Sequence, residues 1–405
     1  MRAKSILIIA NYPPPHGGVP RHIEYLVSHL SKKGWHVHVL SGGRSGIKHK
    51  NGIIIYKYNR IRKAIILLKS LLRFKLLGAL KLSSIFKESP RTWLSHLVRI
   101  SIGEEIISKN NIDIISAYNL YSGCPAGAVL SQKFNIPLVV NNLGEIYEMK
   151  GLFEKNLEAL KYICSAASKF LSLTEHCAKS YKILGVPIEA EVIQYGIDIQ
   201  SLSPLNEGAK IRNKLKIGND SKIILFVGRM ITEMGLDTLL KAIPSVVSTD
   251  NKIKFIIVGQ SGKLLPETII LSEKYINNVY IAPNVPLDEL PLYYAASTIV
   301  VVPTKSDRAC GSLASIEAMA TGKPVIASKV GGIPEIIADG ETGILIPPDN
   351  VDALKETMLK LIRNDLLTRQ MGEHGRLRAE KLFNKDKTNE EIEHILDQLT
   401  EHTHK

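Results

Sequence analysis

Residues 298–348 read TIVVVPTKSDRACGSLASIEAMATGKPVIASKVGGIPEIIADGETGILIPP, and the order of residue types along them decides the fold. The apolar run Ile299 to Val302 stops at Pro303, the pattern of a buried parallel strand. A loop of small residues follows. The spacing then predicts a helix over Ser312 to Ala320, with Gly322 and Pro324 as stop signals. Val325 to Ala327 makes the next strand, and Gly331-Gly332 turns the chain into Ile333 to Ala338. Strand, small-residue loop, helix and strand describe a Rossmann-type phosphate site. Gly311 lets a ligand come close to the backbone, and the amides at the Ser312-Leu313 helix start attract an anion. Glu317, in the second turn of that helix, is an acid within reach of the same pocket. Each feature alone has an ordinary reading, since glycine turns abound in α/β proteins and a helix glutamate is usually solvated. Their joint order carries the inference.

The segment SLASIEAMATGKPVIASKVGGIPEIIADGETGILIPP, residues 312–348, resembles the donor-nucleotide signature of glycosyltransferase family 4. That resemblance implies the GT-B fold: two Rossmann-like α/β domains with parallel sheets facing a central cleft. It also implies a retaining reaction and a nucleotide-sugar donor. Glu317 stands where the family's second glutamate holds the ribose hydroxyls. The family pairs two glutamates with seven residues between them, and the partner position here is Ala309, with Asp307 near but out of register.

Composition bounds the rest. A chain of 405 residues suits two domains of ordinary size, and 45% hydrophobic content supports two cores. Cys124, Cys164, Cys177 and Cys310 include no C-x-x-C pair, so they read as reduced thiols in a cytoplasmic protein. Ile6 to Ala10 is too short for a signal-peptide core, and no run of about 18 apolar residues is present to span a bilayer. The net charge of +13 points to an anionic partner: nucleotide, phospholipid or nucleic acid.

Ile6 to Ala10 is a first buried strand, Gly17-Gly18 a turn, and the following amphipathic helix ends at Gly34, before a strand at Trp35 to Leu40. The resemblance places the Gly17-Gly18 turn near the donor's phosphates and the acceptor; Arg21 and His22, one turn into the helix, could point either way, and Arg21 is a candidate sugar or acceptor contact. Between residues 57 and 99, Lys57, Arg60, Arg62, Lys63, Lys69, Arg73, Lys75, Lys81, Lys87, Arg91 and Arg99 face a single acid, Glu88. Over Ile61 to Phe86, Arg62, Lys69 and Arg73 share one side of a helical wheel, and Leu67, Leu68, Leu71, Phe74, Leu82 and Ile85 gather opposite. That pattern predicts a helix in an anionic membrane interface, against the plainer reading of a domain helix with a basic solvated face. Stacking aromatics are too sparse for nucleic acid.

Further strands are expected at IDIISAY, IPLVVNN and KFLSLT, within residues 112–174. The family carries a sugar-contacting histidine where this chain has Leu143; nearby Glu145 is a candidate to accept a sugar hydroxyl instead. EVIQYGIDIQSLSP, residues 191–204, matches the family's interdomain connection, with Tyr195 where asparagine is common. ILFVGRM then opens the second domain, and Gly228-Arg229 matches the family's phosphate-binding arginine, a permanent cation for a nucleoside diphosphate leaving group. Met234 stands where the family has a lysine, and Lys263, Lys305 and Arg308 are the candidates to replace its charge. KFIIVGQSGK gives the next strand, with Gly259 near the nucleotide.

These readings divide the chain into an acceptor-side domain over residues 1–200 with a basic insert near 57–99, a donor-nucleotide domain over 201–385, and a last helix over 386–405 that crosses back to the first domain. The expected activity is a retaining, metal-independent hexosyl transfer in glycan biosynthesis. Arg229 and Glu317 are its central residues, and Gly17, Gly18, Gly228, Gly259, Gly311, Ser312 and Leu313 are the donor contacts. No cofactor is expected, and no D-x-D occurs. The acceptor is expected to be a lipid-linked molecule or a glycan at the inner membrane face, where the protein would be peripheral. Leu143, Met234 and Ala309 motivate an alternative, a catalytically silent nucleotide- or lipid-binding relative. A nucleotide-sugar epimerase fits the signature less well.

Overall fold

A computed structural model describes residues 3–13, 17–43, 46–58 and 90–402. The chain divides into two compact units: Met1–Tyr195 with Asp386–Lys405, and Gly196–Lys385.

The first unit is built on strands β1 (Ser5–Ile9), β2 (His36–Gly42), β3 (Gly46–Lys50), β4 (Ile53–Tyr58), β5 (Ile114–Tyr118), β6 (Leu138–Asn142), β7 (Lys169–Ser172) and β8 (Glu191–Val192). Their order across the sheet is β3-β4-β2-β1-β5-β6-β7-β8. Every pairing is parallel except β3 with β4, which is antiparallel at one edge. At the centre of the sheet β1 is buried on both faces. Leu7 and Ile9 join the core on one side, while Ile6 and Ile8 join the core on the other. Hence the strand reads as a continuous apolar run with no polar alternation. The last helix, Lys385–His402, sends Ile392, Ile395 and Leu396 into that second core, at the three-and-four spacing of one helical face.

The second unit holds β9 (Lys222–Val227), β10 (Ile253–Gly259), β11 (Val279–Pro283), β12 (Ile299–Val302), β13 (Val325–Ser328) and β14 (Gly343–Ile346). All are parallel, in the order β11-β10-β9-β12-β13-β14. That is the doubly wound order whose direction reverses beside the first strand, here between β9 and β12. In the first unit the same reversal falls between β1 and β5. Ligands of such sheets bind beyond the carboxyl ends of the strands at this reversal. Both units are therefore Rossmann-like, and the α/β class expected from the sequence holds.

Several boundaries differ from the sequence reading. Lys57 lies inside β4 and Arg99 inside the helix Pro90–Lys109, so neither belongs to an insert. The segment Ile61 to Phe86, with its expected membrane-facing side, lies outside the described residues. The β3–β4 hairpin edge had no expectation at all, because β3 (GIKHK) is mostly basic. The thiols of Cys124 and Cys164 are free. Among the described residues, no helix is long and apolar enough to cross a membrane.

Candidate nucleotide-binding site

The reversal point of the second unit is assembled from three strand ends. Gly228 and Arg229 follow β9, Gly259 closes β10, and the loop after β12 runs from Pro303 to the helix Leu313–Ala320. The loops touch through backbone: the Lys305 amide donates to the Glu233 carbonyl at 3.1 Å. Gly259 has φ +152°, and a Cβ there would lie 1.7 Å from the Gly228 carbonyl oxygen, so no side chain fits. Gly311 differs. A Cβ would meet nothing closer than Ile336 at 3.6 Å, so packing within the protein does not demand its small size.

Arg229 is held by its backbone and open at its side chain. The Gly228 amide donates to Val258 at 3.0 Å, Met230 to Gln260 at 3.0 Å, and Ile231 to the Arg229 carbonyl at 2.9 Å. The side chain itself is exposed. A cation is thus fixed at its root above the strand ends. Met234 is half-buried and packs beside Gly228, so an apolar thioether occupies the family's lysine position.

Ser312 caps its helix by accepting the Ser315 amide at 3.1 Å, and the Ser315 hydroxyl donates back to it at 2.9 Å. The amides of Leu313 and Ala314, in the first turn, have no acceptor within the helix. Glu317 lies on the inner side, 3% exposed, where its carboxylate accepts the Tyr294 hydroxyl at 2.9 Å. Tyr294 comes from another helix, Leu290–Ala296, and gave no signal in the sequence.

The ammonium of Lys305, a candidate to replace the missing lysine's charge, is already ion-paired. It sits 2.7 Å from Asp237 and 2.6 Å from Asp349. Burial lowers its pKa, but hydrogen bonds and charge from those two carboxylates outweigh that and hold it above the ordinary lysine value. Lys263 and Arg308 are exposed on the two flanking loops.

At the first unit's reversal point the side chains close in on themselves. Gly17 precedes the helix Gly18–Lys32, whose first turn carries Arg21, half-buried. His22 is buried and stacked on Tyr195, with ring centroids 4.4 Å apart and planes 27° apart. Burial lowers its pKa to about 3, so the imidazole is neutral. His22, Tyr118, Asn142, Leu143, Ser172 and Tyr195 line a small cavity. The buried hydroxyls of Tyr118, Ser172 and Tyr195 find no hydrogen-bond partner among the described residues. Glu145 is 4% exposed and turns inward, one carboxylate oxygen accepting the Leu143 amide at 3.0 Å. Its short helix Glu145–Glu148 holds it inward, and its second carboxylate oxygen has no hydrogen-bond partner among the described residues. Desolvation raises its pKa to about 7, against the amides of Leu143, Glu145 and Leu120, which pull it down.

Two doubly wound sheets in one chain, the second bearing a fixed arginine, a glycine approach and a capped helix start, define an α/β protein of GT-B architecture. Comparison narrows the class. Residues 208–378 match the family of glycosyl transferases group 1, and residues 16–201 match glycosyltransferase family 4. An uncharacterised glycosyltransferase of Methanocaldococcus jannaschii is 27% identical over 92% of each chain. Sucrose-phosphate synthase from Thermosynechococcus elongatus has the same fold, with a TM-score of 0.77 over 98% of this chain and 99% of that one, at 22% identity. Anabaena HepE, solved in complex with UDP-glucose, superposes with a TM-score of 0.73 over 97% of this chain and 99% of its own, at 18% identity. The two matches together run along most of the chain, which is similar to glycosyltransferases throughout.

Proposed function

We propose that the protein transfers a hexosyl group from a UDP-sugar to an acceptor hydroxyl with retention of configuration, without a metal or other cofactor. The observation that carries this reading is Arg229: an exposed guanidinium on a backbone pinned at the reversal of the second sheet. The bond from the anomeric carbon to the diphosphate breaks, and the diphosphate gains negative charge. Arg229 and the amides at Ser312 and Leu313 are suited to receive that charge. A new bond forms from the acceptor oxygen to the same carbon, and the acceptor's proton passes to the departing phosphate oxygen. The choice of a uridine donor rests on the UDP-glucose complex of the similar Anabaena fold. Gly311 and Gly259 would let the nucleotide lie against backbone, and Glu317 would take the ribose hydroxyls from beside Tyr294.

A lipid-linked or glycan acceptor at the inner membrane face remains part of the proposal, supported by the net charge of +13 and the basic amphipathic pattern of Ile61 to Phe86. Flotation with anionic vesicles at low and high salt checks it, with binding expected at low salt and lost at high salt.

The test of transfer is Arg229→Ala on UDP-glucose turnover. Loss of one preorganised donor is expected to lower kcat by ~10²–10³ without lowering thermal stability. Retention of more than about a third of wild-type turnover would remove Arg229 from this role. The neutralised Lys305 and Met234 favour a second reading, a nucleotide binder without turnover. Stabilisation by UDP with no release from UDP-glucose selects it.

A further inference from the structure

β4 carries a charged residue where its pattern calls for an apolar one. Ile53 and Ile55 alternate into the core, and Lys57 continues that buried face, with 6% of its surface exposed. A buried ammonium ordinarily has a carboxylate partner. Among the described residues Lys57 has none. Its Nζ donates instead to the Pro13 carbonyl at 3.1 Å and, at the long limit, to the Tyr12 carbonyl at 3.5 Å.

The surroundings are arranged for that reach. Ser41 is the cross-strand neighbour of Lys57 in the β2–β4 register. Its hydroxyl accepts the Tyr12 amide at 2.9 Å. The strand pair therefore addresses the amide and the carbonyl of Tyr12 and the next carbonyl as well. Gly43 leaves the path open, since a Cβ there would stand 3.3 Å from the lysine Cδ. Tyr12 and Pro13 are the residues through which β1 leaves the sheet towards the Gly17-Gly18 turn. Burial lowers the lysine pKa, with the Lys48 charge on β3 acting in the same direction. A site that disfavours its own charge on the cation is weak as a stability device.

We propose that Lys57 is a positioning residue for sugar transfer, its ammonium clamping the Tyr12 and Pro13 carbonyls so that these two residues leave β1 in one conformation. It acts through the backbone and touches no substrate. The strand spacing beside Ser41 sets where the segment starts, and the cation supplies donors that no apolar residue at this position has.

The experiment compares wild type with Lys57→Met by hydrogen–deuterium exchange and by UDP-glucose turnover. Exchange in the peptide over residues 10–22 is expected to rise at least tenfold, while peptides from β6 and β7 keep wild-type rates. Turnover is expected to fall at least tenfold. Aminoethylation of a Lys57→Cys variant, which rebuilds a near-isostere of the lysine, is expected to restore both, with wild type treated in parallel as control. Unchanged exchange over residues 10–22, a rise spread evenly over the sheet, or no recovery on aminoethylation would overturn the proposal. Should Lys57→Met fail to fold, Lys57→Gln is held to the same criteria. The turnover arm rests on the transferase reading above, whereas the exchange arm does not. A wild type silent towards UDP-glucose leaves the exchange result to decide the role of Lys57.

Discussion

The two sheets reverse direction in the same way, yet their carboxyl ends are finished differently. In the second unit the reversal is lined by backbone and open cations: Gly259 against Gly228, exposed Gly311, and Arg229 held at its root. In the first unit the reversal is filled by its own rings and amides, His22 on Tyr195 above Tyr118, Asn142 and Leu143. Backbone amides and an arginine suit a diphosphate. A packed set of side chains suits discrimination, because changing one neighbour changes what fits. On the proposed function, the second unit would hold the diphosphate and the first would select what is joined to it.

The buried titratable groups sharpen the contrast most strongly, since two of them lie in the filled region. Glu145 titrates at about 7 in the folded chain against a usual 4.5. Between those values the folded state holds the extra proton, so this group's contribution to stability is present at low pH and lost as pH rises. His22 is the reverse case: about 3 folded against 6.5. The unfolded chain takes up that proton first, so stability is lost as pH falls below 6.5. Wild-type stability is expected to rise as pH drops from about 8 to about 6.5 and then to level off as the two effects oppose. Glu145→Gln removes the upper slope and is expected to gain roughly 3 kcal/mol at neutral pH. His22→Phe, which keeps a ring against Tyr195, lets the rise continue towards pH 5. Chemical denaturation across that range measures all three. Parallel curves for wild type and Glu145→Gln would show that the carboxyl does not titrate as its burial implies.

A smaller effect is expected in the open region. Glu317→Gln weakens the acceptor offered to ribose hydroxyls and is expected to lower UDP affinity by about tenfold, ~1.4 kcal/mol. Tyr294→Phe removes the hydroxyl beside it and is expected to change UDP affinity by less. Calorimetric titration with UDP separates the two, and equal affinity in wild type and Glu317→Gln would return the glutamate to a purely structural place. The smallest change belongs to Lys305→Met. Two carboxylates already neutralise that lysine, so UDP affinity is expected to stay within about twofold while the melting temperature falls. A tenfold loss of affinity would make Lys305 the replacement cation after all.

The sequence was legible where one physical signal dominated. The strand Ile299 to Val302 was expected at the bounds observed, because a strand buried on both faces is a continuous apolar run ended by proline. The helix expected to start at Ser312 starts at Leu313 with Ser312 as its cap, since serine satisfies the orphan amides. The β3–β4 hairpin escaped notice because its exposed edge is basic, and Lys57 was counted with the charges that follow it. Chemistry alone did not distinguish Lys305 from Lys263. Asp237 and Asp349 reach Lys305 from 68 and 44 positions away along the chain, a pairing no local pattern encodes. The inward turn of Glu145 was likewise hidden, since a Gly-Glu step after a strand does not say which way the carboxylate faces.

The claim beneath all of this is that the open end of the second sheet holds a nucleoside diphosphate through Arg229. Calorimetric titration of UDP into wild type and Arg229→Ala, both in a metal chelator, tests it most directly. The account expects wild type to bind UDP with the chelator present and the variant to bind at least tenfold more weakly with an unchanged melting temperature. Equal affinity in the two proteins, or binding that vanishes from wild type with the chelator, would contradict it.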